Sequence, residues 1–221
     1  VPHMANLYET STRRMLRAFS ALPGRKHKKI IFASSAAVYG EAKRLPIAER
    51  APRAPISSYG LSKLLAEEAL KFYGRLCNIP YLIFRYSNVY GPRQVPQGES
   101  GVVPILARRM RSGTRPVIFG DGRKTRDYIF VEDVVHANVL GLKRGRNAVV
   151  NIGTGKETSD EAIYRLIAER LNFRMPPLYK AVREGEIMRS GLDPTKAKKV
   201  LGWEPETPLR EGIRNTLSLF F

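Results

Sequence analysis

Ser57-Ser58-Tyr59-Gly60-Leu61-Ser62-Lys63 opens an amphipathic run that continues to about Cys77. Ser57 or Ser58 supplies the side-chain oxygen that caps a helix start. On either side, residues 29–33 and 81–86 are short apolar runs of strand length. Strand, helix, strand is the unit from which parallel sheets are built. The alternation continues along the chain. Further helices are expected at 6–19, 102–111, 132–143, 159–171, 194–201 and 208–220, and strands at 116–119, 127–131 and 148–152. Residues 177–182 read as extended, and 41–55 and 93–100 as polar or proline-rich loops. The expectation is an α/β fold with a mostly parallel sheet and a border between two lobes near residues 93–100.

The chain has 221 residues, 43% hydrophobic and 26% charged, a globular balance. No uninterrupted apolar run is long enough to span a bilayer, and the start shows no signal-peptide pattern. Cys77 is the one cysteine, which excludes an intrachain disulfide framework and points to a reducing, cytoplasmic location. His3, His27 and His136 show no metal-ligand spacing, so no catalytic metal is expected. Lysine and arginine number 38 against 20 acids, a net charge of +18. That excess favours polyanionic partners, nucleic acid or a pyrophosphate-bearing nucleotide. The basic residues are spread out, with no stripe interleaved with aromatics as in single-strand binders. Nucleic acid is therefore the less favoured partner.

On a helix, Tyr59 and Lys63 share a face at i and i+4. An ammonium beside a phenol favours the phenolate, so the tyrosine becomes usable as an acid or base. The spacing alone does not identify it, because Tyr39 and Lys43 repeat it. Context separates the two: Tyr59 opens a helix, whereas Tyr39 follows a strand end and leads into a proline-bearing loop. Ser35 ends a strand at the carboxyl edge of the sheet, where open α/β folds place ligands, and Asn88 follows the next strand in the same way. Gly153-Thr154-Gly155-Lys156-Glu157-Thr158 lacks the hydroxyl residue after its lysine that a phosphate loop needs. It reads as a strand-to-helix turn with Thr158 or Ser159 as cap.

Four segments together resemble one family. They are Phe32-Ala33-Ser34-Ser35-Ala36-Ala37-Val38-Tyr39-Gly40, Tyr59-Gly60-Leu61-Ser62-Lys63, Arg85-Tyr86-Ser87-Asn88-Val89-Tyr90-Gly91-Pro92 and Arg126-Asp127-Tyr128-Ile129-Phe130-Val131-Glu132-Asp133. The family is the extended short-chain dehydrogenase/reductases, and within it the NAD-dependent nucleotide-sugar epimerases of the UDP-glucose 4-epimerase type. Arg183-Glu184-Gly185-Glu186, Asp193-Pro194-Thr195-Lys196-Ala197 and Leu201-Gly202-Trp203 match its tail. The resemblance implies a Rossmann-like doubly wound parallel sheet with a smaller α/β lobe for the substrate. Residues 1–92, with 126–150 returning, would be a partial NAD-binding domain; 93–125 and 151–221 would form the nucleotide-sugar lobe.

The resemblance also implies roles. Tyr59 would take the proton from the sugar 4-hydroxyl, and Lys63 would depress a phenol pKa that is ordinarily about 10. Ser35 would hydrogen-bond the same sugar oxygen while hydride passes to NAD and returns to the other face of a 4-keto sugar. Ser34, Tyr59, Lys63 and Tyr86 would contact NAD. Asn88, Arg126 and Arg183 would grip the diphosphate, Val117 and Phe119 would flank the uracil, and Glu186 would accept from its ribose. Ser35 is followed by Ala36-Ala37, not the Asp-Glu pair of the family's dehydratases, which favours epimerisation. Ser190 stands where many glucose/galactose enzymes carry a tyrosine, which implies room for N-acetylated sugars. A homodimer is expected through helices 6–19 and 58–77.

The family's opening strand, Gly-x-x-Gly-x-x-Gly turn and acidic residue for the adenine ribose do not occur in these 221 residues. The sequence is therefore expected to be the ordered or retained part of a longer epimerase. The alternatives are a dehydratase or reductase of the same family, or a non-catalytic or nucleic-acid-binding relative or inactive fragment.

Overall fold

The computed structural model describes residues 29–95, 101–183 and 185–218. Strand β1 (Ile30–Ser35) leads through a 3-10 turn (Ala36–Val38) and a long loop into helix α1 (Ser58–Leu76). Then follow β2 (Tyr81–Tyr86), β3 (Asn88–Tyr90), α2 (Val102–Arg111), β4 (Val117–Phe119), β5 (Thr125–Arg126) and β6 (Tyr128–Phe130). Next come α3 (Val131–Lys143), β7 (Ala148–Ile152), β8 (Thr158–Ser159) and α4 (Asp160–Leu171). The remainder is β9 (Leu178–Lys180), α5 (Thr195–Leu201) and α6 (Leu209–Ser218).

Strands β1, β2 and β7 form a parallel sheet in the order β1-β2-β7. Beyond it the chain makes two-stranded pairs: β3 with β6 and β4 with β9, both parallel, and β5 with β8, antiparallel. The architecture is α/β and Rossmann-like, with mostly parallel pairing. The β3, β5 and β8 pairings were not foreseen, because two or three residues are too few to show a period. The expected strand at 127–131 is instead β6, entered after a break at Asp127. The expected helix at 6–19 lies outside the described residues, as does most of the loop at 93–100.

Local chemistry sets the element ends. Ser57 Oγ accepts from Gly60 N at 3.1 Å and caps α1; Ser159 Oγ does the same for α4 from Ala162 N. Asn172 at φ 51° and Gly202 at φ 67° end α4 and α5 in the left-handed conformation. The Lys29 ammonium donates to the carbonyls of Gly141, Arg144 and Gly145 at 2.6–2.9 Å, where the carbonyls at the end of α3 need partners.

The largest apolar clusters divide the molecule. Leu82, Phe84, Val150 and Ile152 of the sheet pack with α3 and with Ala197, Leu201 and Trp203. Tyr90, Phe130 and Ile118 pack with α2, α4 and α6 through Leu106, Ile163 and Ile213. Asp127, fully buried, ties together two distant stretches of chain. Its carboxylate accepts from Thr154 N and Oγ1, Gly155 N and Leu192 N at 2.6–3.1 Å. Burial pushes its pKa up against those bonds. Asp127→Ala leaves several buried donors without an acceptor, and is expected to cost about 3 kcal/mol in urea unfolding.

Candidate active site at the carboxyl edge of the sheet

In the register of β1 and β2, Ser34 stands opposite Arg85 and Ser35 opposite Tyr86. Side chains alternate along a strand, so these two pairs face opposite sides of the sheet. Ser34 and Arg85 face α1, where both bond Glu67. Tyr86 faces α3, where its hydroxyl meets the Asn138 amide at 2.9 Å. Burial raises the Tyr86 pKa, opposed by that bond.

Ser35 ends β1. Its Oγ accepts from Ala37 N at 3.2 Å and so caps the 3-10 turn. The first turn of α1 lies directly on that turn. A Cβ added at Gly60 would sit 2.4 Å from the Ala37 carbonyl oxygen, so only glycine permits the approach. Tyr59, half-buried, is thereby brought next to the Ser35 turn. The Lys63 Nζ donates to the Ala33 carbonyl at 2.9 Å and lies 5.6 Å from the centre of the Tyr59 ring and 5.3 Å from that of Phe32. Partial burial lowers the Lys63 pKa from its ordinary 10.5. The expected trio of Ser35, Tyr59 and Lys63 is thus gathered at one place.

The competing pair is separated by the same structure. Tyr39 is 2% exposed, its hydroxyl donates to Asn151 Oδ1 at 2.7 Å, and Arg85 Nη1 donates to it at 2.8 Å. Burial pushes its pKa up to about 12 despite Arg85. A phenol held that way cannot serve as a base near neutrality, and Lys43 is exposed.

Ser34 departs from expectation. It is 2% exposed and its hydroxyl is committed to Glu67 at 2.5 Å, so that hydroxyl does not face a cofactor. The reason is the strand alternation that turns Ser34 away from its neighbour Ser35.

The remaining expected residues lie on β3, β4, β5 and the chain after β9. Asn88 N donates to the Asp127 carbonyl at 2.8 Å, which sets β3 beside the strand end carrying Arg126. Arg126 is half-buried and gives one nitrogen to the Thr125 carbonyl at 2.8 Å. Val117 and Phe119 are half-buried on β4, and the exposed Arg183 guanidinium lies 3.8 Å from the centre of the Phe119 ring. Glu186 binds Lys124 at 2.9 Å, and Lys124 also reaches Asp160 at 3.2 Å. Ser190 is 7% exposed, between Arg189, which pairs with Glu157, and Gly191, whose carbonyl accepts from Ile47 N. Sequence reading missed Lys124 and Glu67. The signal for Glu67 was present: an acid on the inner face of an amphipathic helix, four residues after Lys63.

Among the described residues no helix is long and apolar enough to cross a membrane, and no group of three or more His, Cys, Asp or Glu could hold a metal ion.

Residues 3–216 match the sequence model of the family described as GDP-mannose 4,6 dehydratase. A provisionally named UDP-glucose 4-epimerase of Methanocaldococcus jannaschii is 50% identical over 191 residues, which cover 86% of this chain and 62% of that protein. The UDP-glucose 4-epimerase of Mycolicibacterium smegmatis is 40% identical over 195 residues, 87% of this chain and 62% of that one. The chain thus spans about three fifths of the length of both relatives. The crystal structure of a UDP-glucose 4-epimerase of Thermotoga maritima with UDP-glucose superposes with a TM-score of 0.93 at 41% identity, covering 100% of this chain and 72% of that one.

The contact at Gly60 gives a direct test. Gly60→Ala must push α1 off the Ser35 turn, and is expected to cost about 2 kcal/mol in thermal unfolding.

Proposed function

The chain belongs to the GDP-mannose 4,6 dehydratase family, of extended short-chain dehydrogenase/reductase type, and on that premise we propose that it carries out NAD-dependent epimerisation at carbon 4 of a UDP-sugar. The observation that carries this reading is the backbone contact of Gly60 with Ala37, which sets Tyr59 beside the Ser35 turn with the Lys63 ammonium near its ring. The names of the relatives and the UDP-glucose in the Thermotoga structure support the substrate class.

Tyr59, as phenolate, takes the proton of the sugar 4-hydroxyl. The Lys63 ammonium stabilises that phenolate. Ser35 Oγ accepts from Ala37 N, which leaves its hydroxyl hydrogen to donate to the same sugar oxygen. A bound nicotinamide supplies acceptance and return of the hydride. The donor set fits such a group: Tyr59 and Lys63 would hold the nicotinamide ribose, and Tyr86 would line the ring's pocket. Asn88, Arg126 and Arg183 would hold the diphosphate. Val117 and Phe119 would flank the base, Glu186 would accept from its ribose, and Ser190 would leave space at the sugar.

The cofactor side comprises residues 1–92 with 126–150, and the sugar side 93–125 with 151–221. The apolar cluster of Leu82, Phe84, Val134 and Val150 supports the cofactor side, with Ala197, Leu201 and Trp203 packed on it, while Tyr90, Tyr128 and Phe130 pack into the sugar-side cluster. A homodimer through α1 is supported by its exposed stripe of Leu61, Leu65, Phe72 and Leu76, which share one face. The other helix of that interface, 6–19, lies outside the described residues. The single cysteine, Cys77, supports a cytoplasmic location.

The family description keeps a dehydratase as the second reading, and Ala36-Ala37 after Ser35 weighs against it. Product analysis with NAD and UDP-galactose separates the two: UDP-glucose is expected, and a dehydrated 4-keto sugar would support the alternative. Tyr59→Phe is expected to lower kcat at least about 100-fold with UDP binding kept. Wild-type activity also falls on the alkaline side, below pH 10.5, as Lys63 loses its proton. UDP-N-acetylglucosamine is expected to turn over as well, and its refusal would remove the role given to Ser190. Phe72→Glu is expected to convert the dimer to a monomer in light scattering.

A further inference from the structure

Glu67 lies four residues after Lys63 and eight after Tyr59 on the same side of α1. It has no solvent exposure, and Arg85 has 1%. Glu67 Oε1 accepts from Ser34 Oγ at 2.5 Å and from Arg85 Nε at 2.9 Å, and its Oε2 accepts from Arg85 Nη2 at 2.5 Å. Lys71 stands 3.8 Å away on the solvent side. Arg85 Nη1 donates to the Tyr39 hydroxyl at 2.8 Å and to the Glu49 carbonyl at 3.3 Å. Tyr39 continues to Asn151, whose amide nitrogen reaches the Ile47 carbonyl at 2.7 Å. Burial opposes the Arg85 charge, yet its bonds to Glu67 and Tyr39 hold the proton above the usual guanidinium range.

The endpoints of this network are its informative part. Ser34 is the residue before Ser35, and Tyr39 is the residue that closes the turn Ser35 caps. Glu67 is on the helix that carries Tyr59 and Lys63. One ion pair therefore holds both ends of the serine turn and the helix facing it. Apolar side chains of equal volume could glue α1 to β2 at least as firmly. They could not fix rotation and slide as a two-pronged guanidinium–carboxylate fork does. A displacement of about 1 Å between reacting groups costs about 100-fold in rate.

We propose that Glu67 and Arg85 are positioning residues. Their bidentate pair sets the distance between the Ser35 hydroxyl and the Tyr59 phenol through Ser34 and Tyr39, without touching substrate. The inference rests on the reading of Tyr59 and Ser35 given under the proposed function.

The test uses the full-length holoenzyme and three variants: Ser34→Ala, the neutral double swap Glu67→Leu with Arg85→Met, and Tyr59→Phe. The double swap leaves no unpaired buried charge, so its melting temperature stays near that of the wild type. It is expected to lower kcat about 100-fold with KM for the UDP-sugar within about twofold. Ser34→Ala, which removes a single hydrogen bond, lowers kcat about fivefold. A second readout needs no turnover: the phenolate absorbance absent from Tyr59→Phe should titrate at higher pH in the double swap.

Wild-type kcat and an unmoved Tyr59 titration in a folded double swap overturn the proposal. If that variant does not fold, wild-type kcat in Ser34→Ala overturns it. Full activity in Tyr59→Phe instead overturns the assignment of the base, an outcome distinct from either.

Discussion

A carboxylate and a guanidinium taken out of water cost several kcal/mol each unless their nitrogens and oxygens find partners. Glu67 and Arg85 meet that condition, and the middle of the molecule is arranged around it. Arg85 must point from β2 toward α1, so Tyr86 points the other way, toward α3. Ser34 must face Glu67, so Ser35 faces the open edge. The side of the sheet on which each polar group appears follows from where the pair is buried. Gly60 then allows α1 to come close enough for its first turn to touch the turn after Ser35.

Much of this was legible in the sequence, for identifiable reasons. The helix over Val102–Arg111 and the strands over Tyr81–Tyr86 and Ala148–Ile152 fall where apolar periodicity and the flanking breakers put them. Ser57 and Ser159 announce their helices as caps. Helical context favoured Tyr59 over Tyr39, and the burial of Tyr39 points the same way.

What was not legible depended on contacts between distant segments. The pairs β5–β8 and β3–β6 are held by partners 30 to 40 residues away, and no local pattern marks them. Ser34 and Ser35 look interchangeable in a list of residues. A strand's two faces distinguish them, but which face meets α1 is known only once Glu67 is in place. Glu186 and Lys124 show the same limit: 62 residues separate the partners of that ion pair.

Asp127 extends the point to how such a molecule can change. Its carboxylate receives the chain at Thr154 and Gly155, and again at Leu192. The stretch between, residues 156–191, leaves and returns to one fixed point. It is a cassette whose two ends share a clasp. The entropy of closing a loop grows only slowly with its length. Insertions within the cassette can therefore reshape the surface around Arg183, Glu186 and Ser190 while the sheet and its serine turn stay where they are. That surface can be rebuilt by editing this one stretch.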